Sequence, residues 1–360
     1  MFRFVLFFLF VCIQLNLVSQ TADNLIIITT DGFRWQEVFK GLDKEIANNP
    51  KYNQTDSLYI YKNYSGSTPQ ESRKKIMPFL WSKFLEKGQI YGNRDLDSKV
   101  DNSNPLKFSY PGYSEIFCGF VDPAINSNDY KINPNMNVLE YLSTTKPWFK
   151  DKIAVHGAWG AFPYILAEKR SGIPVTAAFE PCGGKSPNQK EKMINTMMAN
   201  SLRPWHDEEC LDVFTHAAAI ENMKTRHPRI VYIAYGETDE WAHSGYYRYY
   251  LDAAHNVDNW IKEIWNYVES DPFYKGKTAM LITVDHGRGD LLKDQWTSHG
   301  AKIEDANQIW FAAMGPGIPA KGEMKHTNQI YQKQFAQTIA KLVNEKFECN
   351  HEVAEAIEFK

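Results

Sequence analysis

The chain of 360 residues has a composition typical of a globular protein. Hydrophobic residues make up 43% and charged residues 23%, which excludes a disordered or fibrous chain. The 40 Lys and Arg side chains nearly balance the 43 Asp and Glu side chains, and the formal net charge is −3. Because nucleic-acid-binding proteins normally carry a basic excess, we expect a small-molecule partner and no nucleic-acid polymer.

Residues 1–20 have the pattern of a secretory signal peptide. Arg3 precedes an apolar run over Phe4–Ile13, and the small residue Ser19 lies near a possible cleavage point. A membrane anchor is the alternative, but the apolar run is shorter than the roughly 20 residues that a spanning helix needs. We therefore predict a signal peptide over 1–20 and a single domain over 21–360. The mature chain would be periplasmic or secreted, with no membrane span after cleavage.

Four cysteines remain after the predicted cleavage, and export would place them in an oxidising compartment. They are Cys118, Cys182, Cys210 and Cys349. Their spacing matches no C-x-x-C metal site. One or two disulfides, with Cys182–Cys210 as a candidate, and buried free thiols are equally compatible with the sequence.

The alternation of apolar runs and amphipathic segments predicts the fold class. Apolar runs typical of buried strands are Leu25–Thr30, Ile153–His156, Ile173–Phe179, Ile230–Tyr235, Ala279–Val284 and Ile309–Met314. Helical spacing occurs over Met77–Lys87, Val138–Thr144, Ala161–Lys169, Asp207–Thr225, Tyr246–Val268 and Ile330–Lys346, and loops are predicted over Asn48–Gln70 and Asp122–Asn137. We predict an α/β fold with a mainly parallel central sheet and helices on both faces.

Acidic and imidazole side chains follow three of the predicted strands. Asp31 follows the first strand, Asp239 comes shortly after Ile230–Tyr235, and Asp285 and His286 follow Ala279–Val284. Ligands of open α/β sheets bind beyond the carboxyl ends of the strands. An aspartate in such a position often only caps a helix, but three such strand ends together predict a metal site.

Two further imidazoles complete this candidate site. Asp239 and His243 are four residues apart, so one helical turn would direct both to the same side. His299 supplies the third histidine. Three carboxylates with three neutral imidazoles suit Zn²⁺ or a similar divalent transition ion.

Ser109 is the candidate nucleophile. It precedes Pro111-Gly112 and a predicted helix start, where backbone N–H groups favour an anion. The chain has no Gly-x-Ser-x-Gly motif at this position that would indicate a hydrolase triad. A serine hydroxyl is a weak nucleophile on its own, and a metal ion at its oxygen would activate it.

The order Asp31, Ser109, Asp239-x-x-x-His243, Asp285-His286 and His299 resembles the alkaline phosphatase superfamily, especially its nucleotide pyrophosphatase/phosphodiesterase branch. The resemblance implies two divalent ions, Zn²⁺ or Mn²⁺. It assigns Asp31, Ser109, Asp285 and His286 to one ion and Asp239, His243 and His299 to the other. It further implies that Ser109 is the nucleophile of a phosphate ester hydrolase, with diesters ahead of monoesters. A family asparagine that binds a phosphate oxygen would correspond to Asn126, Asn128 or Asn133, and we select Asn128.

Three other functions compete with this interpretation. A sulfatase would carry Arg where this chain has Tyr113. A phosphoglycerate-mutase-like enzyme would insert a large domain between Ser109 and Asp239, where this chain already has predicted core strands. A non-catalytic binding protein would have no chemical need for both the serine and three histidines.

Overall fold

The computed structural model describes residues 21–360 of the chain. The predicted signal peptide over 1–20 lies outside the described residues. Within 21–360, no helix has the combination of length and apolar character that crossing a membrane requires.

The strands of the described chain are β1 Asn24–Thr30, β2 Gly88–Tyr91, β3 Val100–Asp101, β4 Ile153–Gly157, β5 Val175–Ala177, β6 Ile230–Tyr235, β7 Thr278–Thr283, β8 Gln308–Ile309, β9 Phe311–Met314, β10 Gly322–Glu323 and β11 Ile330–Tyr331. Eight of them form the central sheet of the fold, in the order β10-β2-β9-β7-β1-β6-β4-β5. Strand β1 pairs in parallel with β6 and β7, and β4 pairs in parallel with β6 and β5. Strand β9 is antiparallel to both β7 and β2. The predicted α/β class with a mainly parallel sheet is therefore confirmed.

Helices cover the sheet and connect its strands. They are α1 Trp35–Lys40, α2 Lys44–Asn48, α3 Pro50–Asn53, α4 Ser57–Tyr64, α5 Pro69–Ile76, α6 Leu85–Lys87, α7 Ser109–Cys118, α8 Val138–Thr145, α9 Phe162–Ile165, α10 Glu168–Ser171, α11 Gln189–Ala199, α12 Asp212–Arg226, α13 Glu237–His243, α14 Tyr247–Ser270 and α15 Phe335–Leu342. A π-helical turn spans Leu80–Phe84, and 3₁₀ turns span Arg94–Leu96, Lys293–Thr297, Glu304–Asn307 and Gln332–Gln334. Every residue of β1, β6 and β7 is buried, as their continuous apolar sequences predict.

Several predicted helices have different bounds in the structure. The helix predicted over Ala161–Lys169 is divided into α9 and α10, because Ala167 adopts a left-handed φ of 50°. The helix predicted over Met77–Lys87 is instead the π turn followed by α6. Helix α12 begins five residues later than predicted, at Asp212, and α15 begins only after β11.

The predicted loop over Asn48–Gln70 is wrong. This segment contains α3 and α4, and α5 begins at Pro69. The Asn49 side chain accepts a hydrogen bond from the backbone N–H of Lys51, and Pro50 occupies the first helical position. Asparagine and proline therefore act here as a helix start signal and not as loop residues.

Two predicted strands are shorter than the sequence indicated. The run Ile173–Phe179 contributes only the three residues of β5, which lies at the edge of the sheet. The run Ile309–Met314 is divided at Trp310 between the two-residue strand β8, in the smaller sheet β11-β3-β8, and strand β9.

The four cysteines of the described chain are free thiols. The thiol of Cys182 is directed at Oδ1 of Asn195, 3.2 Å away, and Cys210 lies 3.4 Å from the Thr215 hydroxyl. The candidate disulfide Cys182–Cys210 is therefore wrong, and the alternative of buried thiols describes three of the four.

Asp258 on α14 is a buried carboxylate that holds the start of the π turn. Its two oxygens accept hydrogen bonds from the backbone N–H groups of Phe79 and Leu80, at 2.6 and 2.8 Å. Burial raises the pKa of Asp258 to about 7, although these two hydrogen bonds lower it. The native state thus holds this proton more tightly than the unfolded chain, in which an aspartate has a pKa near 3.9.

We expect this carboxyl to make the stability of the protein depend on pH. Between about pH 4 and pH 7 the native state binds more protons than the unfolded state, so stability falls as the pH rises. Between pH 5 and pH 8 the free energy of unfolding of the wild type should fall by a few kcal/mol more than that of Asp258→Asn. The reason is that each tenfold difference in proton affinity between the native and unfolded states contributes about 1.4 kcal/mol. Urea unfolding of both proteins at pH 5 and pH 8 measures this difference. The exposed control Asp129→Asn retains Asp258, so its stability should change between pH 5 and pH 8 as that of the wild type does.

Candidate metal centre

The carboxyl ends of three adjacent strands converge on one edge of the main sheet. In the parallel register Thr30 of β1 lies beside Tyr235 of β6, and Thr29 lies beside Thr283 of β7. The chain therefore delivers Asp31, the start of α13 and the Asp285-His286 pair to the same place. Because β1 lies between β6 and β7, its aspartate is central in the resulting group.

Asp31, Asp285 and His286 form the first cluster. They offer ligand atoms that all lie within 4.8 Å of one another. Nε2 of His286 lies 3.3 Å from Oδ1 of Asp31 and 3.4 Å from Oδ2 of Asp285. The other ring nitrogen, Nδ1, lies 2.9 Å from the carbonyl oxygen of Gly287, so that donation there directs Nε2 towards the two carboxylates.

Asp239, His243 and His299 form the second cluster, again with ligand atoms within 4.8 Å. Nε2 of His243 lies 3.0 Å from Oδ2 of Asp239 and 2.9 Å from Nε2 of His299. Nδ1 of His299 lies 3.1 Å from the carbonyl oxygen of Lys107, which fixes the orientation of its ring. Two imidazole nitrogens that face each other beside a carboxylate form a donor set suited to a transition ion.

The two clusters are in contact. Nε2 of His286 lies 3.9 Å from Oδ1 of Asp239, and the rings of His286 and His299 stack with centroids 3.9 Å apart. The structure thus brings together the six carboxylate and imidazole residues selected from the sequence, and divides them into the two groups that the resemblance implies.

Unpaired buried oxygens show that the first cluster fits a cation. Oδ1 of Asp31 and Oδ2 of Asp285 are both buried and have no hydrogen-bond partner within residues 21–360. Burial raises the pKa of both carboxyls well above their ordinary value; the charge of Asp239 raises the pKa of Asp31 further, and the charge of Asp31 raises that of Asp285 further. Buried polar atoms without partners are costly, and a divalent cation between these oxygens would remove the cost.

Arg288 affects the second cluster, and the sequence analysis gave it no role. Its buried guanidinium donates to Oδ1 of Asp239, and the carbonyl oxygens of Trp296 and Thr297 hold it in place. Burial alone would raise the pKa of Asp239, but Arg288 and His243 lower it well below its ordinary value. Asp239 is therefore kept ionised. Only the position of Arg288 two residues after His286 could have indicated this role.

Ser109 is the first residue of α7 and lies beside the first cluster. Its Oγ is 3.4 Å from Nε2 of His286. A Cβ at Gly112, one turn further along, would collide with the carbonyl oxygen of Asp285, so the absence of a side chain allows α7 to pack directly against the loop that carries the ligands. Tyr113 on the same helix donates to Oδ2 of Asp31 at 3.0 Å.

The structure distinguishes the candidate asparagines. The side-chain oxygen of Asn128 accepts a hydrogen bond from the backbone N–H of Tyr110, at 3.0 Å, and Asn128 lines the pocket at the site. Asn133 is buried against Ser114 Oγ at 3.0 Å and does not line this pocket. Asn126 is also absent from its lining.

A cavity of about 220 Å³ opens onto both clusters. Its lining consists of Asp31, Ser109, Asn128, Tyr130, Trp159, Glu208, Glu209, Asp239, Glu240, His243 and His299. The sequence analysis missed all five of the aromatic and glutamate residues: Tyr130, Trp159, Glu208 and Glu209 lie outside the helices and main strands, and Glu240 follows Asp239 on α13. No lysine or arginine lines this cavity in the described part of the chain.

Comparison with known proteins agrees with this architecture. The family model described as the metalloenzyme superfamily matches residues 194–346, a range that includes the second cluster, Asp285 and His286. The lipoteichoic acid synthase LtaP from Listeria monocytogenes superposes with a TM-score of 0.56 and 12% identity, over 91% of this chain and 73% of that chain. A protein in the alkaline phosphatase superfamily from Vibrio parahaemolyticus superposes with a TM-score of 0.50 and 11% identity, over 91% and 69% of the two chains. This chain has the fold of the alkaline phosphatase superfamily. The resemblance predicted from the sequence is thereby confirmed at the level of the fold.

A curated relative is also found by sequence. This chain is 23% identical over 308 residues to GPI ethanolamine phosphate transferase 1 of Neurospora crassa, and the match covers 83% of this chain and 26% of that protein. The chain spans about a quarter of the length of the curated relatives it matches. By its name, that protein transfers ethanolamine phosphate.

Proposed function

We propose that the chain is a metal-dependent enzyme that cleaves phosphate diesters by using Ser109 as its nucleophile. The observation that supports this most is that the Ser109 hydroxyl lies 3.4 Å from Nε2 of His286, a member of the first cluster. In that cluster Oδ1 of Asp31 and Oδ2 of Asp285 have no hydrogen-bond partner among the described residues. A hydroxyl, three carboxylates and three imidazoles within one small region exceed what the core of an α/β fold needs.

The two clusters provide separate places for two cations. Asp31, Ser109, Asp285 and His286 would hold one, and Asp239, His243 and His299 would hold the other. Two divalent ions, Zn²⁺ or Mn²⁺, would supply positive charge for the attacking and leaving oxygens of an in-line displacement.

The side chains of the protein supply the nucleophile and position the substrate. Oγ of Ser109 forms a bond to phosphorus, the bond from phosphorus to the alcohol oxygen breaks, and the alcohol leaves with a proton. Water then attacks the phosphoserine and releases the phosphate product and Ser109. The amide of Asn128, oriented by the backbone of Tyr110, donates to a phosphate oxygen.

The charge of the pocket favours diesters over monoesters. A monoester carries one more negative charge than a diester at neutral pH. No lysine or arginine lines the cavity among the described residues. The lining therefore offers no such cation to balance the second negative charge of a dianion.

Sulfate ester hydrolysis is the first alternative. Tyr113 stands where a sulfatase motif has Arg, and in this fold its hydroxyl donates to the candidate ligand Asp31. A phosphoglycerate-mutase-like activity is disfavoured because the chain between Ser109 and Asp239 contributes β4, β5 and β6 to the main sheet. A non-catalytic binding role would not require a serine hydroxyl within 3.4 Å of the candidate ligand His286.

Transfer to an alcohol, in place of water, is a second candidate function. The observation that favours it is the likeness to GPI ethanolamine phosphate transferase 1 over 83% of this chain. Both reactions would share the step at Ser109 and differ only in the acceptor. We further propose that residues 21–360 form one catalytic domain and that the chain is exported, on the sequence pattern of residues 1–20.

A comparison of three aryl esters tests the proposed function. With Zn²⁺ or Mn²⁺ added, we expect kcat/KM to be highest for an aryl phosphodiester, lower for the monoester and lowest for the sulfate ester. Addition of a chelator should abolish all turnover, and readdition of the metal should restore it. A sulfate ester as the best substrate, or turnover that survives complete metal removal, would contradict the proposal. Product analysis with added glycerol separates hydrolysis from transfer.

A further inference from the structure

Glu115 on α7 is a fully buried glutamate that belongs to neither metal cluster. It lies six residues after Ser109 on the same helix, and none of its surface is exposed. Ionised side chains are almost never fully buried unless they are paired. The hydrogen-bond partners of Glu115 therefore indicate why the chain places a carboxylate at this position.

Four neutral N–H groups donate to this carboxylate. The backbone nitrogen of Ser103 lies 2.8 and 3.0 Å from its two oxygens, and the backbone nitrogen of Lys333 lies 3.1 Å from Oε1. The backbone nitrogen and the side-chain amide nitrogen of Asn104 both lie 3.0 Å from Oε2. Burial raises the pKa of Glu115, and the hydrogen bonds from Asn104 and Ser103 lower it. Because donors face both oxygens, the ionised form is the one that satisfies these contacts.

One series of contacts leads from Glu115 to the second cluster. Oδ1 of Asn104 accepts a hydrogen bond from the backbone N–H of Lys107, at 2.8 Å. The carbonyl oxygen of Lys107 lies 3.1 Å from Nδ1 of His299, and donation there directs Nε2 of this ring to the cluster. Lys107 has a left-handed φ of 53°, a conformation that a lysine keeps only when its surroundings hold it. The orientation of the His299 ring thus depends on Asn104, which Glu115 holds through two N–H groups.

A second series of contacts leads from Glu115 to the first cluster. Lys333, whose backbone N–H donates to Glu115, follows Gln332 in a 3₁₀ turn. The buried side-chain amide of Gln332 donates to the carbonyl oxygens of Val284 and Asp285, at 2.9 and 2.7 Å. These two residues follow β7 directly. Gln332 therefore holds the backbone from which the Asp285 carboxylate extends.

The candidate nucleophile is held by the same helix face. Ser109, Gly112 and Glu115 are three residues apart in sequence, so they lie along one face of α7. At Gly112 the helix packs directly against the carbonyl oxygen of Asp285. The position of Ser109 relative to the first cluster is therefore set at Gly112 and, one turn further along, at Glu115.

We propose that Glu115 is a positioning residue that holds both metal clusters and Ser109 in fixed relative positions, through Asn104 for the second cluster and through Gln332 for the first. A buried carboxylate that is bound only by neutral amides has a desolvation cost that a core position does not require. The inference rests on the proposed function in one respect, because it takes the two clusters as metal sites. It requires no contact of Glu115 with a metal ion or a substrate.

Separate measurement of zinc affinity at the two clusters tests the inference. His243→Ala leaves only the first cluster complete, and Asp285→Ala leaves only the second, so competition with a chromogenic chelator in each background measures one site. We expect Gln332→Met to weaken zinc binding at the first cluster about tenfold, and Asn104→Ala to weaken it about tenfold at the second. Loss of a group that orients a metal ligand typically costs ten- to a hundredfold in affinity. Each variant should leave the other cluster within about twofold of its background.

Glu115→Gln should weaken zinc binding at both clusters, because its amide places a donor in front of N–H groups. Asp258→Asn is the matched control, since it also changes a buried carboxylate that accepts two backbone N–H groups. It should leave both zinc affinities unchanged. Urea unfolding of each variant measures the stability lost. If Glu115→Gln does not fold, the separate effects of Gln332→Met and Asn104→Ala still decide the question.

The outcomes separate this inference from the proposed function. Unchanged zinc affinities in Gln332→Met and Asn104→Ala would overturn the inference, as would equal weakening of both clusters by each variant in proportion to lost stability. Turnover of phosphodiesters with either of these results would remove the inference alone. The expected pattern of zinc affinities, with no turnover of any ester, would retain the inference and remove the proposed function. A wild type that binds no zinc would overturn both.

Discussion

Replacing Ser109 with alanine is expected to lower kcat by at least about a thousandfold, while the fold and most of the metal binding remain. The reason is that Oγ of Ser109 forms the bond to phosphorus, and among the described residues no other hydroxyl lies within hydrogen-bond distance of His286. Steady-state kinetics with an aryl phosphodiester measures the loss. Thermal unfolding and metal analysis of the same preparation show that the variant is folded and loaded.

Ser114→Ala is the matched control for this variant. It removes the same hydroxyl from the same helix, but that hydroxyl contacts Asn133 and Cys118 and not the metal clusters. We expect its kcat to stay within severalfold of the wild type. Phosphate should also be found on the peptide that contains Ser109 after rapid acid quenching. A kcat near the wild-type value in Ser109→Ala would remove the serine from the mechanism.

Removing a ligand of the second cluster is expected to reduce bound metal from about two ions per chain to about one. In His243→Ala the carboxylate of Asp239 and Nε2 of His299 lose the third donor that lies about 3 Å from each. Two remaining protein ligands hold Zn²⁺ much more weakly than three. Plasma emission spectroscopy after gel filtration measures the ratio, and kcat should fall with it.

His227→Ala controls for the loss of an imidazole. His227 pairs with Asp271 at 3.0 Å and belongs to neither cluster. Its removal should leave the metal content at two ions per chain.

Asp285→Ala removes a ligand of the first cluster. Like His243→Ala, this variant should retain about one ion per chain, in this case the ion bound by the second cluster. An unchanged metal content in both His243→Ala and Asp285→Ala would contradict the assignment of the ligands.

The ligand residues could be selected from the sequence because buried parallel strands have a strong local signal. Continuous apolar runs define β1, β6 and β7, and the polar residues that follow them must emerge at the same edge. Their division into two clusters, however, came from the resemblance to a family. The sequence alone does not determine how far α13 carries His243 around the site.

The cavity wall could not be predicted in the same way. Glu209 reaches the site because the backbone groups on either side of it, the carbonyl of Glu208 and the N–H of Cys210, hydrogen-bond with Gly160 and Ala158 just after β4. Asn128 reaches the site because its side chain accepts a hydrogen bond from the Tyr110 backbone. In each contact one partner belongs to an irregular segment that no local sequence pattern marks. Tertiary contacts also decided the helix bounds, as at Ala167, where a residue with high helix propensity interrupts a helix.

Anomalous X-ray scattering from zinc-loaded crystals tests the central claim most directly. The account predicts two strong peaks at the zinc absorption edge. One should be ligated by Asp31, Asp285 and His286 with Ser109 Oγ at the same ion, and the other by Asp239, His243 and His299. Peaks at other residues, or no peak within bonding distance of Asp31 and Asp285, would contradict the account.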